Sequence, residues 1–236
     1  MHGGGHPRVS VVIPTFQEEK YIANVLSRLV NVKPEVEIIV VDGGSSDRTI
    51  QIARRFTPHI YRLRERGISK ARNYGAKVAH GDIIIFLDAD VLPPEDFVKR
   101  TLKAFEDPCV VGATCNIMPL RPKPAEFLFF RIYNLILRVS SYFNPHARGE
   151  FFAVRKAAFL RVMGFNEGLS CLEDHDLANR LSRLGRFVFI HDLTVYESMR
   201  RFRKLGLLRV VGTWLLNYLA YRLRGKPISQ TWQPIR

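Results

Sequence analysis

The sequence predicts an α/β protein with a mainly parallel central sheet and helices on both faces, and three observations carry that expectation. From residue 8 to about 117, short β-branched runs alternate with helical patterns, the rhythm of parallel strands joined by crossover helices. Acidic residues stand where several of those apolar runs stop. The 236 residues, 47% of them hydrophobic, suffice for one large domain with a sizeable core, and they hold no internal repeat or low-complexity tract.

The first run, "RVSVVI" at 8–13, leads into "PTFQEE" and a helical pattern over 17–31 with Glu18 and Glu19 at its start. The second, "VEIIVV" at 36–41, ends on Asp42 and the turn "DGGSSDRT", where two glycines permit close backbone approach and Ser46 or Asp47 can cap a helix over 46–56. Ligands of open α/β sheets bind at the carboxyl ends of the strands. Asp42 therefore meets a nucleotide's base or ribose, or belongs to an ordinary strand-to-helix turn. After "HIYRL" at 59–63, a helix over 68–79 carries Lys70 and Arg72, which either join an ion-pair network or neutralise an anionic diphosphate.

The run "DIIIFL" at 82–87 stops at Asp88 and Asp90. Neighbouring carboxylates repel and are best tolerated with a divalent cation between them and a diphosphate. Oxygen-only ligands favour Mg²⁺ or Mn²⁺ over zinc. The alternative is that Asp90 caps the helix over 93–105. A further strand, "CVVGATC" at 109–115, precedes the proline-rich loop "MPLRPKPAEF".

In "EFLFFRIYNLILRVSSYF", 126–143, Arg131, Asn134, Arg138 and Ser141 draw a narrow polar stripe on an otherwise apolar helix, which is either buried or lies in a bilayer interface. Its aromatics favour the interface, and its arginines argue against a span, which needs about 20 apolar residues. In "LLRVVGTWLLNYLAYRLR", 207–224, Trp214, Tyr218 and Tyr221 with flanking arginines suit the headgroup boundary. Between these segments lies "CLEDHDLANR", where Asp174 opens a helix whose Leu177, Ala178 and Leu181 share its face. The helix N-terminus favours an anion there, keeping Asp174 ionised and able to take a proton near neutral pH. Glu173 and Asp176 compete for that role, or all three acids merely complement the helix dipole.

A formal net charge of +14 calls for anionic partners. Nucleic acid is excluded as the reading, because it leaves the strand-end acids unexplained and no nucleic-acid motif is present. Three cysteines without CxxC spacing argue against disulfides or zinc and suit a reducing interior. "MHGGGHPR" lacks the apolar core of a signal peptide. The protein is expected at the cytoplasmic face of the membrane, either peripheral or, since "TWQPIR" follows no span, as the soluble part of a longer integral protein.

Taken in order, "VVIPTFQEE", "VDGGSSDRT", "ARNYGA", "FLDAD" and "FFAVRKAAFLRVMGFNEGLSCLEDHDLANRLSRLG" resemble glycosyltransferase family 2 with a GT-A fold, over roughly residues 8–203. The resemblance implies a catalytic domain over 1–203, its nucleotide-binding half at 8–117 and acceptor half at 118–203, followed by a basic amphipathic membrane-proximal segment over 204–236. It implies that Pro14, Thr15, Glu18 and Asp42 contact the nucleoside, that Asp88 and Asp90 hold the nucleotide and Mn²⁺ or Mg²⁺, and that the Glu173–Asp174 pair supplies the base of an inverting transfer. Lys70 or Arg72 would stabilise the departing diphosphate. Processive members carry QxxRW; here "SMRRF" offers Ser198 and Phe202 instead, which speaks against polymer synthesis, while Arg200 and Arg201 remain as diphosphate ligands. Where many relatives place a metal-binding His, this chain has Glu197, which the resemblance makes an oxygen ligand of the metal; His175 and His191 read as bystanders. Likeness to dolichol-phosphate mannose synthases makes GDP-mannose the first donor and UDP-glucose the second, with a polyprenyl phosphate or lipid-linked glycan as acceptor. A non-catalytic nucleotide-sugar sensor is the alternative, against which the intact Glu173–Asp174 pair speaks.

Overall fold

The computed structural model describes residues 8–143 and 145–229, so the readings made on the first seven residues and on 230–236 lie outside the described residues. The elements in chain order are β1 (Val9–Thr15), α1 (Ile22–Leu29), β2 (Glu37–Asp42), α2 (Thr49–Ala53), β3 (Ile60–Arg62), α3 (Ile68–Val78), β4 (Ile83–Leu87) and β5 (Val91–Leu92). They continue with α4 (Phe97–Ala104), β6 (Val110–Pro119), α5 (Pro124–Ser140), β7 (Phe151–Arg155), α6 (Lys156–Arg161), α7 (Glu173–Leu181), β8 (Arg186–Glu197), α8 (Arg200–Leu205) and α9 (Leu207–Arg224).

One sheet runs β3-β2-β1-β4-β7-β6-β8-β5. The first four strands are parallel, as expected. β7 then enters antiparallel to both β4 and β6, β6 and β8 run parallel, and β5 closes the edge antiparallel to β8. Each strand feeds both faces by the two-residue alternation of side chains. Ile83, Ile85 and Leu87 of β4 join one core with α1 and α4, whereas Ile84 and Phe86 join the other with α3, α6 and α7.

The expected helix over 17–31 begins only at Ile22. Gln17 takes a left-handed backbone (φ 59°), its N–H donates to Ser45 Oγ at 2.8 Å, and the Glu18 N–H donates to Thr49 Oγ1 at 2.8 Å. The loop after β1 is thus stapled to the turn after β2. α3 crosses β1 so closely that a Cβ on Gly75 would stand 2.3 Å from Val12 Cγ1. Gly75→Ala is expected to cost about 1–3 kcal/mol in urea unfolding, the usual penalty of overpacking a filled core.

Both C-terminal amphipathic segments are helical, but their faces differ from expectation. In α5 the stripe residue Asn134 turns inward and bonds both backbone groups of Ile117, at 3.1 and 2.8 Å, which satisfies the amide inside the core. Leu128, Ile132, Leu135, Ile136 and Val139 are left outside. In α9 the aromatics are the inner face: Trp214 stacks on Tyr133 and meets Phe202 edge-on, Tyr218 packs on His146 and His175, and Tyr221 donates to Asp176 at 2.9 Å. Its outer face is Leu208, Leu215, Leu216, Leu219 and Leu223.

Candidate active site

The carboxyl ends of β1 and β4, the first turn of α3 and the start of α8 surround a cavity of about 640 Å³. That size lies within the usual range for small-molecule sites, roughly 300–1,000 Å³. Pro14, Thr15, Glu18, Lys70, Asp88, Asp90, Glu197, Arg200 and Arg201 all line it, so the strand-end logic brings most of the expected residues to one place. Asp42, Arg72, Glu173 and Asp174 are not among its lining.

Three arginines organise the acids. Arg72, 1% exposed, donates to Asp88 and Glu173 at 2.9 Å each and to the Gly149 carbonyl. A Cβ on Gly149 would stand 2.7 Å from its Nη2, so any other residue there would push against the guanidinium. Arg148 binds Glu150 at 2.6 Å and Glu197 at 3.2 Å, and its guanidinium lies over Phe130, Tyr133 and Trp214. Arg200 forks onto both oxygens of Glu18 at 2.6 and 2.8 Å and reaches Asp90 at 3.1 Å, over the Tyr21 ring. Even so, burial pushes the Asp88 carboxyl up to about 6, with Arg72 opposing and Glu150 adding to the rise. Burial likewise pushes Asp90 up to about 7, against Arg200 and helped by the charge of Asp88.

Several expectations need correction. Arg72 does not face the cavity as a diphosphate ligand; it lies beneath it, spent on Asp88 and Glu173. Lys70 lines the cavity, but its ammonium pairs with Glu65. Asp42 is fully buried: Oδ1 accepts from Thr15 and Ser45 hydroxyls, and Oδ2 from the N–H groups of Gly44 and Ser45. It orders its own turn, and the neighbouring Thr15 and Gly43 line the cavity instead. Asp90 does not cap the following helix, which begins at Phe97 after Asp96. Glu197 is engaged by Arg148, and among the described residues no three His, Cys, Asp or Glu side chains form a ready metal cluster. Asp88 and Asp90 still fit a hard cation, since two half-buried carboxylates are held together with raised proton affinities that a positive ion would relieve.

The three acids at the head of α7 separate by their partners. Glu173 bonds Arg72, and Asp176 bonds Arg180 and Tyr221. Asp174 accepts the N–H of His175 at 2.8 Å and forms no ion pair among the described residues. It is not held ionised by the helix end: burial, then the charge of Glu173, push it up to about 8, because desolvation outweighs the dipole. His175 packs against His146 with ring centres 4.4 Å apart and takes no place in the cavity.

Sequence reasoning missed Arg148 and Glu150. Because β7 is antiparallel, with Phe151 opposite Leu87, the residues before it arrive at the carboxyl end of β4. The signal was "ARGEFF", two charges immediately ahead of a strand-like run.

An eight-stranded sheet with strand-end aspartates and helices on both faces defines a GT-A glycosyltransferase fold. The chain belongs to glycosyl transferase family 2, whose sequence profile matches residues 10–165. It is 34% identical over 107 residues to dolichol-phosphate mannosyltransferase of Pyrococcus furiosus, covering 42% of this chain and 30% of the relative. It is 33% identical over 108 residues to a dolichyl N-acetylglucosaminyl phosphate diacetamidodideoxyglucuronosyltransferase of Methanococcus voltae, covering 42% of this chain and 34% of the relative. The chain thus spans about a third of the length of these curated relatives. In fold it is similar to mannosyltransferase PcManGT of Pyrobaculum calidifontis, solved with GDP-Man and Mn²⁺, at TM-score 0.70 and 24% identity over 90% of this chain and 65% of that one.

Proposed function

We propose that the protein is an inverting glycosyltransferase that moves a sugar from a nucleotide-diphosphate donor, GDP-mannose before UDP-glucose, to a lipid-linked acceptor at the cytoplasmic face of a membrane. The observation that carries this reading is the Asp88–Asp90 pair at the carboxyl end of β4, in a cavity with room for a nucleotide sugar. The name of the Pyrococcus furiosus relative supports mannose as the sugar, and the names of both archaeal relatives support the lipid carrier. Asp88 and Asp90 are the residues that would hold Mn²⁺ or Mg²⁺, which when bound neutralises the diphosphate of the leaving group. Thr15 and the Gly43 backbone take the nucleoside, and Arg201 in the opposite wall faces the anionic end of the donor. Asp174 removes the proton from an acceptor hydroxyl as that oxygen attacks the anomeric carbon; the bond to the diphosphate breaks on the opposite face, and the centre inverts.

Titration calorimetry with GDP-mannose and UDP-glucose, each with Mn²⁺ and with chelator, tests the reading. The expected result is cation-dependent binding of GDP-mannose that Asp90→Ala abolishes; no binding of either donor by the folded protein would sink it.

The acceptor reading draws on the outer faces of α5 and α9. Leu128, Ile132, Leu135 and Ile136 on one helix and Leu208, Leu215, Leu216 and Leu223 on the other are exposed, with Arg131, Arg138, Arg209, Arg222 and Arg224 among them. No helix of the described residues is long and apolar enough to cross a membrane. An apolar face rimmed by arginines fits the anionic headgroup boundary instead, and α9 with the residues that follow it forms the membrane-proximal segment. Leu135→Glu and Leu216→Glu are each expected to weaken co-sedimentation with anionic vesicles at least about tenfold without moving the melting temperature. Unchanged vesicle binding would remove the membrane from the proposal.

A further inference from the structure

Three of the four cations first assigned to the diphosphate are engaged by acids of the protein. Arg72 is consumed by Asp88 and Glu173, Lys70 is paired with Glu65, and Arg200 holds Glu18 and Asp90. The wall instead presents the first turn of α3, where Gly67, Ile68, Ser69 and Lys70 all line the cavity. The Ala71 N–H is taken into the helix by the Gly67 carbonyl at 2.9 Å, and the N–H groups ahead of it have no helical acceptor. With 11 residues and no acid in its first turn, α3 brings the positive end of its dipole to that point uncancelled.

A second observation marks this helix end as a site. The Ser69 side chain is 4% exposed, stands in the cavity wall, and its Oγ has no hydrogen-bond partner. A buried hydroxyl is costly unless its hydrogen bond is made. Among the described residues no oxygen receives it, so this hydroxyl is open to an acceptor that enters the cavity.

We propose that the first turn of α3, Gly67–Lys70, is a phosphate cradle in which Ser69 Oγ and the adjoining free N–H groups bind one phosphate of a diphosphate ligand. The proposal rests on the nucleotide-sugar reading of the cavity, and it adds backbone and hydroxyl contacts to the one given to Arg201.

The test is calorimetric titration of GDP, UDP, guanosine, uridine and inorganic pyrophosphate against the full chain, Ser69→Ala and Ser69→Asp, with the melting temperature of each variant as the check on folding. The alanine variant is expected to bind the preferred diphosphate and pyrophosphate about tenfold more weakly, as befits one hydrogen bond to a charged group. Nucleoside binding should not change, and the aspartate variant should bind neither phosphate probe. Equal binding of a diphosphate by all three proteins would overturn the cradle and leave the nucleotide reading standing. Ser69-dependent binding of pyrophosphate alone would support the cradle while overturning the nucleotide reading. Binding of none of the probes by the unaltered chain would overturn both.

Discussion

Asp174→Asn is expected to slow transfer to a hydroxyl acceptor by about a hundredfold to ten-thousandfold, the range a positioned general base contributes, while leaving donor binding in calorimetry intact. The substitution keeps the side chain's shape and its bond from the His175 N–H, and removes only the ability to take a proton. The pH profile carries the sign. With the carboxyl raised to about 8, the basic form is scarce at pH 6 and grows as pH rises, so kcat of the unaltered chain should climb through that region. The asparagine variant should show no such climb. Transfer to a polyprenyl phosphate, which has no hydroxyl proton to lose, should be spared. A nucleotide-sugar sensor would show no transfer in either protein, and equal rates in both would remove Asp174 from the chemistry.

The second large effect concerns stability. Arg72→Met removes the buried cation that two acids share and leaves Asp88 and Glu173 without the guanidinium between them. Deleting one partner of a buried pair typically costs about 3–5 kcal/mol, and the variant is expected to fall in that range by urea unfolding. Asp88 already has a folded proton affinity above its ordinary one, about 6, despite Arg72. Without the arginine it rises further, so the folded variant binds more protons than the unfolded chain over a wider span. The deficit should therefore be largest above that span, at pH 8, and smaller at pH 5. A pH-independent loss would place the cost in packing alone.

The parts of the fold that could be read in advance were those where local pattern and tertiary environment agree. Strands β1, β2 and β4 are apolar on both faces because the sheet is covered on both, and their terminal acids stand out against that background. Orientation was not readable. Asp42 looks like a ligand by its place, yet four hydrogen bonds from its own turn and from Thr15 absorb it. Trp214, Tyr218 and Tyr221 beside arginines have the same composition whether they face lipid or a core, and only the partners Tyr133, His175 and Asp176 decide it. The raised affinity of Asp174 comes from burial assembled by distant segments, which a helix-end argument does not contain. Glu150 was hidden by direction, since the expectation searched where strands end and β7 brings its beginning to that edge.

That reversed strand also has a bearing on how such a molecule can change. β6 and β7 are antiparallel neighbours, so the chain between them leaves the sheet and returns to the next position in it, carrying α5, Arg148 and Glu150 along the way. Nothing in the pairing of β1, β2, β3 and β4 depends on the length or content of that excursion. α5 and the loop before it are in effect a replaceable insertion beside the cavity, whereas Gly149 and Glu150, bonded to Arg72 and to the Asp88 N–H, belong to the site itself.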